Sequence, residues 1–165
     1  MFVPVYSPHE AWKPITSFEW NRAAARHLLS RMGFSATPEQ IDQAMQRGLS
    51  RTVRDLFRRI EEPERLQSIA DNYVAERERI QQLINQTEER SERDQLQRER
   101  RQANQQAFEA FALEWMAFAG KMENSPQEKL LLLLQNIFVV GRDKVYDTQH
   151  LISHQAILRR GIGLT

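Results

Sequence analysis

Cysteine is absent from this chain, and glycine and proline are scarce, at six residues each among 165. Without thiols there is no disulfide and no thiolate metal site, so the fold depends on packing alone. Residues 64–119 contain neither glycine nor proline and are rich in Glu, Arg, Gln, Leu and Ala. These side chains lose little rotamer freedom in a helix. The longest organised segment is therefore predicted to be helical, and it offers no loop on which catalytic groups could be mounted.

A surplus of charge of one sign is also missing, because 23 Lys and Arg residues are balanced by 22 Asp and Glu residues. Duplex-binding proteins usually have a basic surplus, so nucleic acid is an unlikely partner. Two groups of arginines do not change this expectation, because acidic residues are interspersed with both. These groups are Arg98, Arg100 and Arg101, and Arg51, Arg54, Arg58 and Arg59.

Long hydrophobic runs are missing as well. The longest apolar run covers residues 130–134, and a second covers residues 137–140. Together they are about half as long as a membrane-spanning helix requires. Residues 1–17 have neither the basic start nor the apolar stretch of a secretory signal. We therefore expect a soluble cytoplasmic protein without a membrane partner.

What the sequence does contain is a series of helix start and stop signals. Thr16 and Glu19 form a capping-box pattern that predicts a first helix ending at Met32, with Gly33 as a left-handed cap. The inward face of this helix is predicted to hold Phe18, Ala25, Leu28, Leu29 and Met32.

Two further short helices are predicted after the first. Thr37 and Pro38 start the second, and Gly48 ends it. The third begins at Ser50 and presents Val53, Leu56, Phe57 and Ile60 on one face. We expect the three helices to form a compact head over residues 1–62.

The long segment over residues 63–122 has two apolar halves and a polar middle. The apolar positions of the first half are Leu66, Ile69, Tyr73, Ile80 and Leu83. Those of the second half alternate three and four residues apart, like a coiled-coil seam: Phe108, Phe111, Trp115, Phe118 and Met122. A helix that is polar all round is not held by packing. We therefore predict an antiparallel helical hairpin that turns within residues 87–94, with one straight rod as the alternative.

Two more helices are predicted over residues 125–165. Ser125 and Glu128 form a second capping box, with a proline at the first helical position. The helix that follows, from Gln127 to about Val140, is apolar on nearly every side and is expected to be the central buried helix of a larger body, closed by Gly141. Its apolar surface over residues 130–140 exceeds what the rest of the chain would cover, which also predicts association. The last helix starts at Asp147 and presents Leu151, Ile152, Ile157 and Leu158. The expected architecture is a single all-α domain, a small bundle with a protruding, coiled-coil-like antiparallel hairpin.

Residues 20–39 have the most distinctive sequence of the chain. An alanine-rich helix leads to His27-Leu28-Leu29, and a turn of the form Gly-Phe-x-Ala-Thr-Pro follows at residues 33–38. Two later stretches keep the same order and spacing as in one known family. The first is the glutamine-rich helix ending in Trp115-Met116, followed by residues 126–130 (PQEKL). The second is residues 143–145 (DKV), followed by Gln155 and residues 158–160 (LRR).

Together these stretches resemble the amino-terminal part of the bacterial family called domain of unknown function 1800. The family typically has a Phe-Trp-His-x-His-Phe signature where this chain has residues 133–138 (LLQNIF). It usually has another histidine where this chain has Gly161, and its members normally continue for a few hundred residues. The resemblance therefore implies no defined reaction, and activity that relied on those histidines is not carried over.

Asp147, His150 and His154 form the only metal-ligand pattern worth weighing. The histidines are four residues apart on the predicted last helix, and Asp147 lies one turn earlier, a spacing that can chelate a divalent cation. Without a Glu-x-x-His pattern or a remote ligand, a solvated helix face with Asp147 as its cap explains the residues better. We predict no catalytic residue, no metal and no cofactor.

The favoured interpretation is a non-catalytic structural or protein-interaction module. The apolar residues of the second half of the long segment are the predicted interaction residues, through self-association or docking on another polypeptide: Phe108, Phe111, Trp115, Phe118 and Met122. That polypeptide could be the remainder of the family domain. The alternative is a framing fragment of a larger enzyme, such as a metal-dependent hydrolase, whose catalytic part lies beyond residue 165. Whether this chain belongs to an enzyme is left open, with non-catalytic favoured.

Overall fold

The structure is a computed structural model that describes residues 13–58 and 63–162. Within these ranges every regular element is an α-helix, which confirms the all-α prediction. The helices are α1 (Arg22–Met32), α2 (Pro38–Arg47), α3 (Leu49–Leu56), α4 (Glu64–Gln86), α5 (Arg90–Ala119), α6 (Ser125–Ile137) and α7 (Thr148–Ile162). The chain divides into two compact units, Met1–Phe57 and Arg58–Thr165. That residues 1–165 act as one domain stays a prediction.

The first unit contains α1, α2 and α3, which bury a small apolar core. Its buried apolar residues are Ala25, Leu29, Ile41, Ala44 and Leu56. The Ala44 carbonyl accepts hydrogen bonds from Trp20 Nε1 and from Thr52 Oγ1, each at 3.3 Å. The predicted capping box of α2 is present, since Thr37 and Gln40 exchange side-chain and backbone hydrogen bonds. Gly48, at φ +79°, joins α2 directly to α3. Only glycine adopts this left-handed conformation without strain.

The start of α1 differs from the prediction. The Thr16 and Glu19 side chains do bond, but they close only a turn, and the helix begins at Arg22. Asn21 is the cap because its side chain accepts the Ala24 N–H at 3.0 Å, as a short amide does well at this position. Phe18 therefore lies outside the helix and is fully exposed, at 102%. Gly33 was predicted wrongly as a left-handed cap, since its φ of −101° is extended.

The prediction for α3 was also partly wrong. The helix ends at Leu56, and Phe57 is exposed rather than part of an inward face. Ile60 lies outside the described residues.

In the second unit, α4 and α5 pack along each other, with residues 87–89 between them. Their contacts run in antiparallel order. Near the start of α4, Arg65 pairs with Glu114 at 3.6 Å, and near its end Gln81 accepts from Arg100 at 2.8 Å. The core joins residues of α4, α5 and α7: Leu66, Ala70, Phe111 and Ile152, with Ile69 and Trp115 against them.

In this unit α6 is covered on one side only, so its predicted place as the central buried helix of a larger body stays a prediction. Its inward side holds Pro126, Glu128 and Leu131, which face the elements that contact it, α7 and α5. Its opposite side is uncovered because no other described helix of this unit packs there in more than marginal contact. We call this side the outer face of α6; it consists of Leu130, Leu133 and Ile137, exposed by 43%, 54% and 63%. The helix also ends at Ile137, before Gly141. None of the described helices is long and apolar enough to cross a membrane.

Candidate functional site

The most deeply buried charges of the second unit are Glu128 of α6 and Arg159 of α7. Glu128 is fully buried, and its two carboxylate oxygens accept from Arg159 Nε at 2.8 Å and Nη2 at 3.0 Å. Trp115 Nε1 of α5 donates to Glu128 Oε2 at 2.7 Å, and Arg159 Nη2 also donates to Gln155 Oε1 at 3.3 Å. We call these four residues the Glu128 network. It ties three helices together, and two parallel hydrogen bonds join its opposite charges.

Glu128 is where the sequence prediction failed most informatively. The pattern at residues 125–128 predicted a capping box, but Ser125 already lies inside α6, and no side chain caps the helix. The Ser125 hydroxyl instead donates to the Ala119 carbonyl at 2.9 Å. Glu128 turns inward because Arg159 would otherwise be a buried charge without a counter-charge, which is far more costly than an open cap.

A second buried network joins α5 to the start of α7. Asn104 Nδ2 donates to the Tyr146 carbonyl, and Asn104 Oδ1 accepts the Thr148 N–H, both at 2.9 Å. The Thr148 hydroxyl donates to the Asn104 carbonyl at 3.0 Å. We call this set the Asn104 clasp. The sequence gives only a weak signal for it, one asparagine in the polar middle of the long segment.

The three metal candidates are not arranged as a metal site. Asp147 accepts the Gln149 N–H at 2.9 Å and the Arg77 guanidinium at 2.7 Å, so its carboxylate is already used as a cap and an ion-pair partner. His150 is exposed, and His154 is partly buried beside a groove. Across the described part of the chain, no three His, Cys, Asp or Glu side chains form a group that could hold a metal ion.

The Asp147 ion pair lies beside a buried tyrosine of α4. The Arg77 guanidinium lies 6.0 Å from the centre of the Tyr73 ring. Burial raises the pKa of Tyr73 to about 12, and the negative charge of Asp147 adds to this rise. Ionising the phenol here would place a second negative charge next to Asp147 in a poorly hydrated site.

A groove of about 350 Å³ opens between α5, α7 and the segment after α6. We call it the α5–α7 groove. Its walls are mostly apolar, and the main ones are Phe108, Phe111, Trp115, Phe138, Val139 and Leu151. The polar residues on it are Gln135, Arg142, His154 and Gln155. Arg142 lies flat over Phe108, with its guanidinium carbon 4.0 Å from the ring centre, and Nη2 donates to Gln105.

The predicted interaction residues fall into two groups. Phe108, Phe111 and Trp115 line the α5–α7 groove, although Phe111 is mostly buried in the core. Phe118 and Met122 are partly buried and are not among the groove residues. The outer face of α6 adds a further exposed apolar surface in this unit.

In the first unit, His27 lies in an open depression with Arg22, Arg26, Ser30 and Ile41. Arg22 pairs with Asp42 there. The depression is a solvated, partly neutralised surface, and the geometry assigns it no reaction.

The family comparison agrees with the resemblance drawn from the sequence. The model of the family described as protein of unknown function (DUF1800) matches residues 27–163. The chain belongs to this family. Neither the curated proteins nor the solved structures give a match.

The Glu128 network lies within the stretches that resemble the family. Trp115, Glu128, Gln155 and Arg159 are far apart in the sequence, yet they meet in one hydrogen-bonded set. The position of the first histidine of the family signature is Gln135 here, and Gln135 lines the α5–α7 groove. The position of the second is Ile137, on the outer face of α6.

Proposed function

We propose that this chain is a non-catalytic interaction module that associates with a second copy of itself through the outer face of α6. The observation behind this proposal is the exposure of Leu130, Leu133 and Ile137 on one helix. Their spacing of three and four residues is that of a helix–helix seam. Contiguous apolar surface of this kind marks interaction sites on soluble proteins.

A second copy fits this surface because none of its three residues is charged. An apolar helix face can pack on its own copy in a symmetric interface without placing like charges together. Glu128 and Arg159, two buried charges of this unit, are also bonded to each other. A buried ion pair of this kind holds helices together rather than acting on a ligand, which supports the non-catalytic assignment.

The proposal is tested by sedimentation velocity over a range of protein concentrations. The wild-type chain is expected to show a concentration-dependent dimer. Leu133→Glu places a charge in the apolar seam, so its dimer dissociation constant should rise by at least about tenfold, the cost of burying an unpaired charge being well above 1.4 kcal/mol. Ser153→Glu, an exposed position on α7, is the matched control and should leave the dimer unchanged.

Three outcomes would contradict the proposal. The first is a wild-type monomer at every concentration, the second is equal loss of dimer in both variants, and the third is a dimer that Leu133→Glu leaves intact. Far-ultraviolet circular dichroism of each variant separates loss of association from loss of fold.

A further inference from the structure

We propose that the α5–α7 groove binds a medium-chain alkyl carboxylate, with its chain between the apolar walls and its carboxylate on Arg142. The residues that line this groove include none of the three residues of the outer face of α6. It assigns a ligand class to a surface that the proposed self-association does not use.

The walls of the groove suit an alkyl chain. Phe108, Phe111 and Trp115 of α5 form one side, and Leu151 of α7 and the exposed residues Phe138 and Val139 form the others. The volume of about 350 Å³ lies near the lower end of the roughly 300–1,000 Å³ range of ligand sites. This size favours a medium-length chain over a long one.

The charges around the groove suit an anionic head group. No acidic residue is among the described residues that line it, whereas Arg142 lies directly on it. Arg142 also belongs to none of the ion pairs among the described residues; the nearby acid, Asp143, pairs with Lys144 at 3.6 Å. Its guanidinium has five N–H donors, and its hydrogen-bond partner in the protein is the neutral Gln105.

The contact with Phe108 also holds the Arg142 guanidinium in a fixed orientation before a ligand binds. Stacking on Phe108 at 4.0 Å fixes the plane of the guanidinium and removes water from one side of it. A planar, oriented guanidinium binds a carboxylate through two parallel hydrogen bonds, and little side-chain entropy remains to be lost on binding. A neutral alcohol of the same chain length would fill the walls but would gain no ion pair.

The test is isothermal titration calorimetry of the full chain at neutral pH with decanoate and with decanol. Decanoate is expected to bind saturably and more tightly than decanol. Arg142→Gln should raise the dissociation constant of decanoate at least about tenfold, because a charge-assisted hydrogen bond is lost, and should leave decanol unchanged. Lys144→Gln removes the same charge from an exposed side chain two residues away and should change neither.

Ala112→Phe provides a second line of evidence, since Ala112 lines the groove and a phenyl ring there would occupy the chain site. Both decanoate and decanol should lose binding in this variant. Wild-type protein that does not bind decanoate would overturn the proposal, as would equal weakening by Arg142→Gln and Lys144→Gln, or decanoate binding that survives Ala112→Phe.

This proposal and the self-association proposal fail separately. Leu133→Glu should leave decanoate binding intact, and Arg142→Gln should leave the dimer intact. An opposite result in either cross-experiment would mean that the two surfaces are one, which would overturn the ligand assignment.

Discussion

Glu128 and Arg159 place two opposite charges in the interior of a helical unit, where Trp115 of α5 and Gln155 of α7 also bond to them. A buried pair of this kind adds little net stability compared with apolar residues of the same size. Its larger effect is to exclude other arrangements of the helices, because an arrangement that leaves either charge unpaired in the core is strongly destabilised. The pair therefore specifies which turns of α5, α6 and α7 face each other.

Glu128→Gln is expected to lower the free energy of unfolding by about 3–5 kcal/mol, because Arg159 is left as an uncompensated buried charge. Urea denaturation followed by circular dichroism measures this change. Glu76→Gln is the control; it breaks an exposed pair with Arg79 on α4 and should cost at most about 1 kcal/mol. Equal effects of the two substitutions would show that the Glu128 network does not hold the core.

Tyr73 gives a prediction for alkaline pH. An unfolded tyrosine titrates near its ordinary value of 10.0, whereas burial and Asp147 raise the pKa in the folded chain to about 12. The stability that Tyr73 provides is therefore complete below pH 10 and is lost as the pH rises toward 12, since the unfolded state then binds fewer protons. In Tyr73→Phe, stability should fall less steeply over this range.

Denaturation midpoints measured from pH 9 to pH 12 test this prediction. Tyr146→Phe, at an exposed tyrosine, is the control and should follow the wild-type slope. A Tyr73→Phe curve parallel to that of the wild type would contradict the proposed shift.

At the scale of the elements, the sequence predicted helix content well and helix burial less well. The cap of α2 was predicted because Thr37, Pro38 and Gln40 make only local bonds. The role of Glu128 was not, because the spacing of a capping box is also met when the glutamate turns toward a cation 31 residues later in the chain. A short sequence pattern predicts bonds between neighbouring residues, whereas the partner of Glu128 is Arg159, which is remote in the sequence.

Which side of α6 is covered also depends on residues that are remote in the sequence. A run of leucines indicates that a helix can be buried on any side, but which side is covered depends on the number of neighbours. Only α7 and α5 make more than marginal contact with it in the second unit, so one apolar face stays open. The α5–α7 groove was likewise not predictable, since Phe108 and Arg142 come together only through the fold.

The Asn104 clasp gives a prediction at this scale. Asn104→Ala removes its two side-chain hydrogen bonds and leaves the buried Thr148 N–H without its acceptor, so the free energy of unfolding should fall by about 2–3 kcal/mol. The Thr148 amide should also exchange with deuterium faster than in the wild type. Gln102→Ala, at an exposed position of α5, is the control. Unchanged exchange at Thr148 would argue against the clasp.

At the scale of the whole molecule, the family match over residues 27–163 extends across parts of both compact units. Each unit has its own buried residues. The cap of α2 and the Asn104 clasp have no hydrogen-bond partner in common, because Thr37 bonds Gln40, whereas Asn104 bonds Tyr146 and Thr148.

Substitutions in the two units should therefore add. Thr37→Ala alone is expected to cost about 1 kcal/mol through loss of the cap of α2. Combined with Asn104→Ala, the total should equal the sum of the single changes within about 0.5 kcal/mol. Urea denaturation of the two single variants and the double variant measures this, and a larger departure would show energetic coupling between these sites.

The short connection at residues 87–89 has a practical consequence. Glu88 and Glu89 are exposed, and Phe108, where the α5–α7 groove begins, lies 19 residues further along a continuous helix, about 28 Å at 1.5 Å per residue. A peptide tag inserted there could anchor the molecule to a sensor chip by one end. Binding at the other end could then be recorded without the attachment blocking it.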